Sequence, residues 1–556
     1  MRQRFKGILK NKSMASRKKH SLTEEEKALR RFHKVSSRHV LVLETDLKHH
    51  EKCKVFHYAD LERKAGNELL GRMKKNYTQL NRTKKYRRLK KLYGNYATKK
   101  EKEKCREIAV ELKSLQEKYQ VTWEDCHSFM IPIAKKYGLD SVFALTKAED
   151  VWRAVEKCLY SDGRTFHFAK RGDLPAIRAK QINRGIVLTV KENQLRFKFN
   201  GLSFGVQIKD RFEKEEVDAV LKYLAQSAVI DRQAVETLKE KDTCMNTYRP
   251  CYAVLVCKKI RGKMRVYLHL TIEGIAKPKQ DRLGCSKHRL GKGVVGCDIG
   301  TQTIAYTSDT EVGLKNLAER GPSILENERK ERILKRAMER SRRAMNPKYY
   351  NKDGTIKKGR KIWKYSKKYQ KLKEKHTEFC RKNAINRHLA INEDVNHLRS
   401  LGDTFITEPK NAKKLQKRTK KTTVNEKGKI NRKKRFGCSI KNRCPGYFQA
   451  QVERKFKNTD GNYIEVPNDY RASQYDHTSN EYVKKKLSQR MYSLADGTVV
   501  QRDWYSSYLL YCMDSKNGTI NREKCMTSFK EQYQKENKMI TWIQKNHIKV
   551  LNSGIR

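Results

Sequence analysis

Three carboxylates in the second half of the chain stand where an acid is costly to keep. Asp298 lies in GVVGCDIGTQTIAYTSD, on a run that Val294 and Val295 open as a buried strand; Gly300 lets the chain turn and Ile304 to Thr307 resumes as a second strand. Glu408 closes the short apolar strand DTFITE. Asp503 follows Arg502 in LADGTVVQRDWYSSYLLYC and opens an apolar helix with Trp504, Tyr508 and Leu509. An ionised acid in apolar surroundings is expensive unless it is paired or on a metal. Carboxylates are the ligands a hard cation such as Mg²⁺ prefers, and a strand can hold one rigidly at a sheet edge. Gathered together, such acids suit nucleotidyl-transfer chemistry. Each also has a plainer reading: a turn for Asp298, an ion pair with the following lysines for Glu408, and a helix cap for Asp503.

The elements around these acids carry an unusual charge. The 556 residues include 127 Lys and Arg against 62 Asp and Glu, a formal net charge of +65. A body so charged repels itself unless a polyanion neutralises it, and nucleic acid is the obvious one. Between Arg72 and Tyr96 there is no acid. The cations Arg72, Lys74, Lys75, Lys84, Lys85, Arg87, Arg88, Lys90 and Lys91 alternate there with Tyr77, Tyr86, Tyr93 and Tyr96. This pattern predicts a phosphate-contacting helix whose tyrosines stack on bases. A second basic stretch, Lys410 to Arg435, holds Lys413, Lys414, Lys417 and Arg418. No apolar run approaches the ~20 residues that span a bilayer, and the basic amino terminus has no apolar stretch of a secretory signal behind it. The 14 cysteines form no CxxC, which argues against a disulfide scaffold and an ordinary zinc ribbon and for a reducing compartment.

Along the chain, residues 1–20 read as a basic leader, and Ser21 with Glu24 fits a capping box opening a helix. Residues 21–180 read as helical. Strands follow at GIVLTV, QLRFKF and FGVQIK, a helix at about 212–240, and a hairpin of YAVLVCKKI and MRVYLHLTI joined through Arg261, Gly262 and Lys263. These suggest a small antiparallel barrel over 181–290. From 321 to 400 a basic helical pair is interrupted by NPKYYNKDGTIKKG, with Trp363, Tyr369 and Leu372 on one face.

The ordered set GCDIGTQTIAYTS, SRRAMNP, FITEPKNAKKLQKR, FQAQVERKFKNTDGNYIEVPNDYRASQ and LSQRMYSLADGTVVQRDWYSSYLL resembles the RuvC-type nuclease of transposon-encoded TnpB proteins and their type V CRISPR (Cas12) descendants. The resemblance covers about Val294 to Leu510. The first 290 residues are similar only in character, to a wedge barrel with an inserted helical recognition domain. The resemblance implies a multidomain α+β and α/β chain: helical recognition domain, β-barrel, then a split RuvC/RNase H-like nuclease with a helical insertion. Its nuclease parts would be residues 291–320, 401–472 and 499–556, with a target-loading lobe at 473–498. It implies that Asp298, Glu408 and Asp503 are the catalytic acids, that Arg502 is the arginine before the last acid, and that two Mg²⁺ ions serve hydrolysis of DNA chosen by a bound guide RNA. A prokaryotic, cytoplasmic, nucleoid-associated protein is implied too. Relatives carry two CxxC pairs between the second and third acids. Here those neighbourhoods read SQYDHTS and SLADG, with Ser493 and Asp496 near the second, so zinc is not expected, although Asp476 and His477 could bind a metal in principle. A guided but nuclease-inactive DNA-binding protein and an RNA-independent transposase are the competing readings.

Overall fold

The computed structural model describes residues 37–99, 101–160, 163, 165–237, 248–274, 281, 283, 285–319, 324–417, 422–424, 428, 430, 436–459, 461–486, 488–514 and 517–555. The basic leader, the Ser21–Glu24 capping box and Arg418 lie outside them. The chain is a mixed α+β assembly of two compact units, Met1–Ile275 and Ala276–Arg556. No helix among the described residues is long and apolar enough to cross a membrane.

The first unit opens with a strand, β1 (Ser37–Thr45), inside the stretch read as helical. Its alternation explains the difference: Leu41 and Leu43 are buried while Val40 and Val42 are exposed. That is the period of a half-buried strand rather than a helix. Five helices follow: α1 (His49–Arg82), α2 (Lys84–Lys99), α3 (Lys102–Lys118), α4 (Trp123–Tyr137) and α5 (Ser141–Tyr160). Next come β2 (Ile177–Arg178), β3 (Val187–Lys191), β4 (Gln194–Phe199), β5 (Leu202–Phe204), β6 (Val206–Gln207), α6 (Arg211–Thr237), β7 (Tyr248–Ile260) and β8 (Lys263–Gly274). The hairpin between β7 and β8 turns on Arg261 and Gly262, both at positive φ, which the two-residue loop of a twisted ribbon requires. The strands pair as a five-stranded sheet, β2-β7-β8-β1-β6, and a three-stranded one, β3-β4-β5. Neither order closes into a ring among the described residues, so strand pairing alone does not supply the barrel.

The second unit is built on β9 (Val294–Ile299), β10 (Thr303–Ser308), β11 (Val312–Asn316), β12 (Thr404–Thr407) and β13 (Asn462–Glu465). Their order is β11-β10-β9-β12-β13: an antiparallel meander to which β12 and β13 add in parallel. The crossover from β11 to β12 contains α7 (Ile324–Met345) and α8 (Lys367–Leu401), the expected helical pair. Trp363 falls before α8 rather than on it and packs against Tyr349, Tyr350 and the Arg342 guanidinium. The helix α9 (Pro445–Asn458) precedes β13. Then come α10 (Arg502–Tyr511) and α11 (Arg522–Lys545).

The pleat sorts the sheet into two faces. Val295, Cys297, Ile299 and Phe405 form one core with Ile391, Val395 and Leu398 of α8 and Phe448, Val452 and Phe456 of α9. The alternate residues, Gly296 and Ile406, face α10, where Ile406 joins Trp504, Tyr508 and Leu509 in a second core. At Gly296 helix and strand are flush: a Cβ there would stand 2.2 Å from the Tyr511 amide nitrogen and 2.3 Å from the Ser507 carbonyl oxygen. The close approach lets Ser507 Oγ meet Thr307 Oγ1 at 2.9 Å across the buried interface. Gly296→Ala therefore forces backbone from backbone. It is expected to cost at least the ~1–3 kcal/mol of ordinary overpacking, read as a fall in the urea midpoint, and to displace the helix that carries Asp503.

Candidate functional site

Register brings the first two acids side by side. β12 runs parallel to β9 with Thr407 opposite Cys297, so the next residue of each, Glu408 and Asp298, are neighbours. Both share the sheet face of Gly296 and Ile406, the face on which α10 lies. The first turn of α10 carries Asp503. Gln501, not Asp503, caps that helix, its side-chain oxygen accepting the Trp504 N–H at 2.7 Å. The capping role that the sequence allowed for Asp503 is thus filled by a neighbour.

The electrostatics make Asp298 the common neighbour. The Glu408 carboxyl is raised above the usual range by burial first and by the Asp298 charge second, while Lys410, the Ala472 N–H and Arg502 pull it back. Asp503 is pushed up to about 6, again by burial first and Asp298 second, against Arg490, Arg502 and Lys410. Lys410 Nζ stands 3.5 Å from Asp298 Oδ1, and an Arg490 guanidinium nitrogen 3.5 Å from Asp503 Oδ1. The lysine pairing allowed for Glu408 is therefore made by Lys410, but to Asp298. Like charges held half-buried together are the condition a divalent cation relieves. The all-oxygen donor set fits a hard ion. The three acids do not bring one oxygen each within 4.8 Å of the others; among the described residues Glu331, His376 and Cys380 alone form such a group and could hold a divalent ion. A site spread about a central Asp298 suits a shared ligand of two ions better than three ligands on one.

Behind the cap sits Glu536 of α11. Its Oε1 accepts the Gln501 backbone N–H at 2.8 Å, and it is fully buried.

The basic residues divide. Arg72, Lys74, Lys75, Lys84, Lys85, Arg87, Arg88 and Lys91 are exposed on α1 and α2. Arg72 lies over the Phe129 ring, and Lys85 pairs with Glu111. Lys90 is different: half-buried, it donates to the Cys158 carbonyl at 3.0 Å and its pKa is lowered, by burial first. Tyr86 and Tyr93 are buried beside Leu89, and the Tyr77 hydroxyl donates to the same Cys158 carbonyl. These three tyrosines pack the helices rather than offering free faces to bases. Their spacing with Leu89 is the apolar stripe of a helix, which the surrounding cations obscured. Lys413, Lys414 and Lys417 follow β12 on or beside a short helix, Ala412–Leu415, with Lys414 and Lys417 exposed. Arg502 opens α10. Asp476 and His477 are committed locally: Asp476 accepts from Thr478 and Ala495, and the His477 ring meets the Tyr505 hydroxyl at 2.8 Å.

No protein-family model matches the chain, and no curated protein does. Among solved structures it is similar to a Cas12f1–sgRNA–target DNA complex, with a TM-score of 0.42 and 11% identity over 83% of each chain. It is also similar to a Cas12i1 R-loop complex before target DNA cleavage (TM-score 0.23, 9% identity, 78% of this chain and 58% of that one). A Cas12i–crRNA–dsDNA complex gives 0.20 and 10% over 81% and 56%. Likenesses this distant establish no shared function.

Glu536 supplies a pH test. Burial pushes its carboxyl up to about 8, against an ordinary 4.5. A raised folded-state pKa means that its contribution is complete below about 4.5 and is lost as pH rises through 8. At ~1.4 kcal/mol per unit the loss reaches at most about 5 kcal/mol. Glu536→Gln is expected to gain stability on the wild type steadily from pH 5 to pH 8.5 in urea titrations.

Proposed function

We propose that this chain is a metal-dependent DNA endonuclease guided by a bound RNA, with Asp298, Glu408 and Asp503 as its catalytic acids. The observation that carries the nuclease reading is the convergence of three half-buried carboxylates from two adjacent parallel strands and one helix start, with Asp298 acting on both others. The guide-RNA part rests on the ordered motifs and on the net charge of +65. Held between the acids, two Mg²⁺ ions would supply activation of water and stabilisation of the leaving oxygen.

The chain's own residues prepare that chemistry. Asp298 is the acid whose charge acts on both of the others. Glu408 is fixed by the Ala472 N–H and Asp503 by Arg490. Lys410 Nζ, 3.5 Å from Asp298 Oδ1, offsets part of the charge the acids bring together. The exposed cations of α1 and α2 would contact phosphates without reading bases.

With copurified RNA retained and Mg²⁺ added, the chain is expected to cut DNA that matches that RNA. Asp298→Ala, Glu408→Ala and Asp503→Ala should each abolish cutting while leaving nucleic-acid affinity within about twofold, measured by gel cleavage and filter binding. Cutting by Asp298→Ala overturns the assignment. RNA-dependent binding without cutting by the wild type selects a guided binding protein, and end-specific joining without RNA a transposase. Separately, Arg88→Ala with Lys91→Ala should flatten the dependence of log affinity on log salt by roughly 0.7–0.9 for each phosphate that is no longer neutralised.

A further inference from the structure

The residues of one cluster have no part in the proposed nuclease site. His376 and Cys380 stand four apart on α8 and so project from one face. Cys380 Sγ lies 3.6 Å from His376 Nε2, and His376 Nε2 lies 3.5 Å from Glu331 Oε1 on α7. One ligand atom from each lies within 4.8 Å of the other two. A tetrahedral ion with Zn–S of about 2.3 Å and Zn–N and Zn–O of about 2.0–2.1 Å would set S···N near ~3.5 Å and N···O near ~3.3 Å. The two helices hold the ligands at nearly that spacing already. All three side chains are half-buried.

We infer that Glu331, His376 and Cys380 form a three-ligand site for a borderline-soft divalent ion of the Zn²⁺ class, its fourth position open to water, tying α7 to α8. A sulfur, a nitrogen and an oxygen select such an ion over Mg²⁺, which demands oxygen. Binding releases the thiol proton to solvent and leaves the sulfur as thiolate. Lys335 and Lys441 meet Glu331 Oε1 at 2.5 and 3.7 Å, and their side chains are 55% and 60% exposed. They are competitors with room to turn outward when the ion enters.

The chain contains its own control. His49 and Cys53 repeat the same spacing on α1, with Sγ 3.9 Å from Nε2. No third ligand completes that pair among the described residues.

The test is Co²⁺ titration of the chelator-stripped full chain near pH 8, reading tetrahedral d–d bands and thiolate-to-cobalt charge transfer. The wild type is expected to bind one Co²⁺ with both signatures, displaced by Zn²⁺ and not by excess Mg²⁺. Cys380→Ser and His376→Gln should lose the bands, while Cys53→Ser and Asp298→Ala keep them. Glu331→Gln should weaken binding by more than the roughly 10–100-fold that an outer-shell partner is worth. Circular dichroism reports whether each variant is folded; should Cys380→Ser be misfolded, His376→Gln decides. Absence of the bands in the wild type overturns the site, as does their survival in folded Cys380→Ser or His376→Gln, or their equal loss in Cys53→Ser. Because Asp298→Ala is included, failure here is distinguishable from failure of the nuclease reading.

Discussion

The burial of Glu408 and Asp503 beside the shared Asp298 charge is the constraint on which the second unit turns. Burial and the Asp298 charge both work against ionising the other two. Left alone, such a cluster would protonate or open. It is held instead by cations delivered from three directions: Lys410 just past β12, Arg490 ahead of the strand leading to α10, and Arg502 at the start of that helix. Each acid has a fixed backbone address, one on β9, one directly after the neighbouring β12 and one in a helix's first turn. Relaxation by moving apart would therefore require the sheet and helix to separate.

That separation is resisted by polar contacts that leave little slack. Arg399, buried at the end of α8, donates to the carbonyls of Gly291, Gly402 and Thr459 at 2.8, 3.0 and 2.9 Å. One guanidinium thus joins the chain entering β9, the chain entering β12 and the turn before β13. On the opposite face Tyr470 donates to the Leu509 carbonyl at 2.6 Å, and Tyr511 to Asp309 Oδ1 at 2.6 Å. Buried polar groups are costly when unmatched, so these bonds specify one seating of α10 as well as stabilising it.

The elements that carry the acids were legible in the sequence because short apolar runs bounded by turn residues mark strands locally. The strand at DTFITE and the hairpin at Arg261–Gly262 both follow from local pattern. The strand β1 was not, because its alternation spans only a few residues amid polar ones. The roles of Tyr86, Tyr93 and Lys90 were hidden for a different reason: net charge says nothing of which side of a basic helix faces the core. Arg490 and Lys410 could be named as basic but not as counterions, since that depends on which strand lies beside which. His376 and Cys380 had a readable spacing, but Glu331, 45 residues upstream by number, becomes their neighbour only when α7 folds back along α8.

The lobe between the second and third acids shows how a fold can do without cross-linking cysteines. Asp476 accepts the Thr478 N–H and hydroxyl at 3.0 and 2.6 Å and, with its other oxygen, the Ala495 N–H at 3.0 Å. One carboxylate therefore joins the hairpin at Tyr475–Tyr482 to the turn that follows Ser493. Burial alone would raise its pKa, but the bonds from Thr478 and Ala495 outweigh that and hold it below the ordinary range. A depressed carboxylate contributes stability above its ordinary pKa and loses it on acidification. The join is thus strongest at neutral pH, and Tyr475, Tyr492 and Leu494 beside it are buried in the core that seats α10. The lobe and the third acid are parts of one packed body, so the geometry of Asp503 depends on hydrogen bonds formed some 27 residues before it in sequence.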